Sequence, residues 1–112
     1  MASLNIEIDE NPTEIIVRLI GEGSTCEADR LQLSLTRLMA VRPPLVVIDM
    51  AGLLYVTSLA MGVLVQFRRA IARSGGRIQL AHLQPSVLES FQNARLDSLF
   101  EITESGLPVR NV

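Results

Sequence analysis

Between Leu45 and Gly62 the chain reads Leu-Val-Val-Ile-Asp-Met-Ala-Gly-Leu-Leu-Tyr-Val-Thr-Ser-Leu-Ala-Met-Gly. Leu45 to Ile48 is a continuous apolar run, the pattern of a strand covered on both faces. Asp49 is expected to end that run and Gly52 to mark a turn. A second apolar piece, Leu53 to Val56, leads to two hydroxyls, Thr57 and Ser58, where a helix begins. A serine at a helix N-terminus sits among free backbone N–H groups and the positive end of the helix dipole. A phosphate is well accommodated there, so a solvent-facing Ser58 is a natural position for a charge switch.

The flanking segments alternate strand and helix patterns. Leu4 to Ile8 alternates apolar and polar, and Glu14 to Ile20 forms a second strand after Asn11-Pro12, so the two read as an antiparallel hairpin closed by Gly21 and Gly23. Ser24-Thr25-Cys26-Glu27 fits a capping box, with the serine accepting from an amide and the glutamate reaching back. Ala28, Leu31, Leu35 and Leu38 then make one helical stripe, ended by Arg42-Pro43-Pro44. From Ser58 a second helix runs to about Ser74 with Ala60, Leu64, Phe67 and Ile71 inward, and Gly75-Gly76 caps it. Arg77 to Ala81 is a strand, Pro85 opens a third helix through Val87, Leu88 and Phe91, and Leu96 to Ile102 supplies a last apolar cluster and a short edge strand. Strands joined by helices require right-handed crossovers. The expected fold is therefore α/β, a small mixed sheet whose central strands are parallel, with helices packed on it.

With 112 residues the chain is long enough for one domain, expected to span 1–112 with 104–112 as a tail. An apolar share of 48% supports a packed core rather than disorder. The net charge of −2 speaks against nucleic acid or an acidic membrane surface as a partner. Cys26 is the one cysteine, which excludes an internal disulfide and a thiolate zinc site; a buried structural thiol is the expected reading. The N-terminus lacks the regions of a signal peptide and no run approaches the ~20 apolar residues of a membrane span, so a cytoplasmic protein without membrane insertion is expected. No cofactor or metal is expected.

These elements in this order resemble a STAS domain, the fold of bacterial anti-sigma factor antagonists and of sulfate-transporter cytoplasmic tails. The resemblance covers nearly the whole chain. It rests on Gly21-Glu22 after the second strand, Val46-Val47-Ile48-Asp49 before the serine-bearing turn, Gly75-Gly76-Arg77-Ile78, and the closing Ala94-Arg95-Leu96-Asp97-Ser98-Leu99-Phe100-Glu101-Ile102. In antagonists of the family a serine at the position of Ser58 is phosphorylated by the anti-sigma factor, itself a kinase, which releases the partner. The residue before it is usually Asp and is Thr57 here. Small residues with a Gly usually follow, where this chain has Leu59 and Ala60, and Ser24 stands where an Asp is often found. Thr57 is a second candidate acceptor, as threonine is in some relatives.

The resemblance thus implies a protein-binding module rather than an enzyme, with an anti-sigma factor kinase as partner and phosphorylation at Ser58 or Thr57. The docking surface is expected at Thr57, Ser58, Leu59, Met61, Gly62, Val65, Arg68 and Arg69, with Asp49 and Ser24 supporting the turn. Leu33, off the stripe of its helix, marks a second contact. The sequence also allows a weak homo-oligomer. The alternative is an accessory STAS subunit on the ATPase of an ABC transporter, with no phosphorylation cycle. A Ser58-His82-Asp49 triad is disfavoured because the nucleophile-elbow pattern is absent, and a nucleotide sensor because no Gly-rich phosphate loop is present.

Overall fold

The computed structural model describes residues 3–103. Strands β1 (Leu4–Glu10), β2 (Ile15–Gly23), β3 (Leu45–Val56), β4 (Arg77–Ala81) and β5 (Glu101–Thr103) form one sheet in the order β1-β2-β3-β4-β5. β1 and β2 are antiparallel, and every other pairing is parallel. Helices α1 (Ala28–Met39), α2 (Ser58–Arg73) and α3 (Pro85–Asn93) make the three crossovers. Because the strand order advances in one direction, right-handed crossovers put all three helices on the same face. The expected tail 104–112 lies outside the described residues.

The core follows from that placement. Ile15, Val17 and Leu19 of β2, Val46 and Ile48 of β3, and Ile78 and Leu80 of β4 face the helices. They meet Leu31, Leu35 and Leu38 of α1, Ala60, Leu64, Phe67 and Ile71 of α2, and Val87 and Phe91 of α3. Phe100 closes the far end, its ring edge-on to Phe91 with centroids 5.8 Å apart. The opposite face has no helix. It carries Glu7, Asp9, Arg18, Asp49, Arg77, Gln79 and Glu101, so the expectation that Leu45–Ile48 is covered on both faces is corrected. Val47 is buried there all the same, because on the central strand it is flanked by Ile16 and Gln79.

Asp49 does not end the strand. β3 continues to Val56 as one 12-residue strand, with register shifts against β2 between Arg18/Ile20 and Gly21/Glu22. Pairing with β4 stops at Asp49↔Ala81, so the second half of β3 leans on β2 alone. The Asp49 carboxylate accepts from the Ala51 amide at 3.0 Å at that point, a local bond within β3. Gly21 has φ +113, and a Cβ on it would lie 2.3 Å from the Ser3 carbonyl oxygen, so only glycine fits. Gly75, at φ +88, donates to Ala72 while Gly76 donates to Ile71, the paired bonds of a Schellman cap ending α2 as expected.

The capping box before α1 is also corrected. Thr25–Glu27 is a single 3-10 turn in which the Glu27 amide donates to the Ser24 carbonyl at 3.1 Å. The Ser24 hydroxyl caps nothing and is buried without a partner among the described residues. Cys26, expected to be buried, is exposed on this turn.

Candidate functional site

The parallel strands deliver their carboxyl ends, and the N-termini of the helices that follow, to one end of the domain. β3 reaches that end at Val56, and Thr57 N-caps α2 with extended backbone (φ −86, ψ 166). Three hydrogen bonds hold Thr57. Its hydroxyl accepts from the Ala60 amide at 3.3 Å, its carbonyl from the Met61 amide at 2.9 Å, and its own amide donates to the Gly23 carbonyl at 2.9 Å. Thr57, rather than Ser58, is thus the cap.

Ser58 is the first helical residue, exposed, and its hydroxyl makes no hydrogen bond among the described residues. Its position places it beside the unpaired N–H groups of the first turn of α2. Exposed apolar side chains lie close to it in sequence. Leu59 is 53% exposed, Leu54 54% and Tyr55 40%. The Tyr55 hydroxyl donates weakly to Glu22 at 3.4 Å. Partial desolvation, and then the Glu22 carboxylate, hold the phenol above its ordinary pKa.

Of the other sequence-derived contacts, Gly62 and Arg69 are exposed and Val65 and Arg68 half-buried. Met61 is a correction. At 5% exposure it belongs to the core, because one residue after Ala60 it falls on the inward edge of the α2 stripe. Leu33 is exposed on α1 as expected for an off-stripe residue.

The sequence reading missed what supports the turn. Where β4 no longer covers β3, the N-terminus of α3 takes over. Gln84 donates to the Ala51 carbonyl at 2.7 Å and Ser86 to the Leu54 carbonyl at 3.2 Å. Polar residues flanking Pro85 were the available signal, but their target lies more than thirty residues away in sequence. His82, at φ 61, lines a cleft of about 820 Å³ between α3 and the β4–β5 edge, together with Gln84, Gln92, Asp97 and Thr103. Neither Ser58 nor Asp49 lines that cleft, and no hydrogen bond joins Ser58, His82 and Asp49 among the described residues. No cluster of three or more His, Cys, Asp or Glu side chains suited to a metal forms among the described residues, and no described helix is long and apolar enough to cross a membrane.

The model of the STAS domain family matches residues 5–106, and the chain belongs to that family. Solved structures share its fold at low identity. An anti-sigma factor antagonist from Mycobacterium paratuberculosis superposes with a TM-score of 0.82 at 18% identity, covering 97% of this chain and 89% of that one. The Bacillus cell fate determinant SpoIIAA in its phosphorylated form gives 0.69 at 16%, covering 91% and 92%. A serine-to-glutamate variant of RsbS from Moorella thermoacetica gives 0.71 at 19%, covering 88% and 85%. No curated protein matches the sequence.

Proposed function

We propose that this STAS domain is a phospho-regulated binding module that docks an anti-sigma factor kinase at the Ser58 turn and is released when Ser58 is phosphorylated. The observation that carries the reading is the division of labour between two adjacent hydroxyls: Thr57 is engaged as the helix cap, while Ser58 is exposed and its hydroxyl makes no hydrogen bond among the described residues. The reading also draws support from the fold shared with anti-sigma factor antagonists and with a phosphorylated SpoIIAA.

The physics of the switch is local. A phosphate adds about −1.5 to −2 charges at pH 7. At the first turn of α2 that charge interacts favourably with the dipole, by ~0.3–1 kcal/mol when exposed, so the domain stays folded. The cost falls on the partner, whose groups over Leu54, Tyr55 and Leu59 must desolvate beside the new charge. A loss of about 3 kcal/mol at that interface weakens binding roughly a hundredfold.

The test is to incubate the protein with each anti-sigma factor kinase of its own genome and Mg-ATP, then map phosphate by mass spectrometry in wild type, Ser58→Ala and Thr57→Ala. Phosphate on Ser58, with tight binding lost in Ser58→Glu, is the expected result. Phosphate on Thr57, or binding unchanged by Ser58→Glu, overturns the assignment. Tight association with a transporter ATPase in both forms would transfer the protein to the accessory-subunit role.

A further inference from the structure

The net charge conceals a segregation. Arg18 pairs with Asp9, Arg30 with Glu27 and Arg77 with Glu101. The six remaining described arginines, Arg37, Arg42, Arg68, Arg69, Arg73 and Arg95, form no ion pair among the described residues. All six lie toward one end. Each helix runs back from the carboxyl ends of the strands, so the helix C-termini gather where β3 and β4 begin. Arg37 and Arg42 sit at the end of α1, the next three in the later turns of α2, and Arg95 just past α3. Arg68 is half-buried and the others are exposed.

Few acidic groups oppose them. Glu10 and Glu14 stand at the β1–β2 corner, Glu101 is held by Arg77, and Asp97 is half-buried in the His82 cleft. Glu89 is exposed midway along α3, Glu7, Asp9 and Asp49 lie on the helix-free sheet face, and Glu22, Glu27 and Asp29 are at the other end, with Ser58. Arginine in a last helical turn complements the dipole, which accounts for Arg37 and Arg73. It does not account for Arg42 and Arg95. They hold φ 52 and 61 beyond helix ends, left-handed positions that glycine or asparagine fills with less strain.

We infer that this end of the domain binds the anionic headgroups of a lipid bilayer as a peripheral contact. Guanidinium groups pair with phosphate in a bidentate fork. Coming from the ends of three helices, they spread across one end of the domain, a layout that suits a flat surface better than a peptide groove. Val41, 54% exposed between Arg37 and Arg42, supplies an apolar contact at headgroup depth. Along α2 Ser58 lies about 15 Å from Arg68 and about 22 Å from Arg73, at the opposite end of the helix, and stays accessible to a partner.

The experiment is flotation of the full chain with vesicles of phosphatidylglycerol and, separately, of phosphatidylcholine. Binding is expected to phosphatidylglycerol alone, falling as salt is raised. Each arginine near the surface contributes about fivefold, so Arg69→Gln with Arg73→Gln should weaken binding roughly 25-fold. Arg18→Gln, on the helix-free sheet face, and Ser58→Glu should bind as wild type. Circular dichroism melts separate lost binding from lost folding. Absence of phosphatidylglycerol binding, equal binding to phosphatidylcholine, full retention in the folded double variant, or tighter binding to duplex DNA than to the vesicles would each overturn the proposal.

Discussion

The Thr57 hydroxyl accepts from the Ala60 amide at 3.3 Å, whereas the Ser58 hydroxyl one residue on makes no hydrogen bond among the described residues. Stability should separate the two. Thr57→Ala removes a cap worth about 1 kcal/mol and should lower Tm by roughly 4–8 °C. Ser58→Ala should change stability by less than about 0.5 kcal/mol. Thermal unfolding of both variants checks this, and a larger loss from Ser58→Ala would contradict the capping geometry.

Ser58→Glu places a carboxylate at the start of α2, where the dipole favours it. The variant should be at least as stable as wild type at low ionic strength, by up to about 1 kcal/mol, with the gain shrinking in salt. Urea titrations at two salt concentrations read this directly. A destabilised variant would show that charge at this turn disturbs the domain itself and not only a docked partner.

Met61 and Leu59 should behave in opposite ways. Met61→Ala opens the core and should cost about 2–5 kcal/mol. Leu59→Ala, at an exposed position, should stay within about 0.5 kcal/mol while weakening partner binding. Urea midpoints for the pair, followed by binding measurements on whichever variants remain folded, test the assignment.

Glu101 accepts from Arg77 at 2.6 and 3.1 Å, and this pairing first, helped by Gln79, holds its carboxyl below the ordinary glutamate value. A carboxyl lowered in the folded state contributes stability that is fully present above its unfolded pKa, about 4.3. That contribution is lost as pH falls through the lowered folded value. Because the pair is solvent-exposed, the increment should be at most about 1 kcal/mol. Arg77→Gln should therefore be slightly less stable than wild type at neutral pH, with the difference vanishing in acid. Stability curves for both proteins across that range test it.

Much of the fold was legible because hydrophobic spacing is a local property. The stripes Ala28-Leu31-Leu35-Leu38 and Ala60-Leu64-Phe67-Ile71 are the buried faces of α1 and α2, and Gly75-Gly76 ends α2. Errors arose where a long-range partner decided the outcome. Asp49 reads as a strand end, yet β2 carries β3 on through two register shifts. Ser24 and Glu27 have capping-box spacing, but the chain enters α1 through a 3-10 turn that satisfies the amide from a carbonyl. The bonds from Gln84 and Ser86 to β3 join segments that no local pattern links.

The sequence by itself determined the order of elements, their inward faces and the hydroxyl pair at the head of α2, because periodicity and turn chemistry act over a few residues. Only the tertiary structure decided that Thr57 is held while Ser58 makes no hydrogen bond among the described residues, that Met61 is inside and Cys26 outside, and that six arginines with no ion pair among those residues lie toward one end. Burial and charge clustering depend on which elements meet and which way they run. A net charge of −2 is a sum, and a sum carries no position.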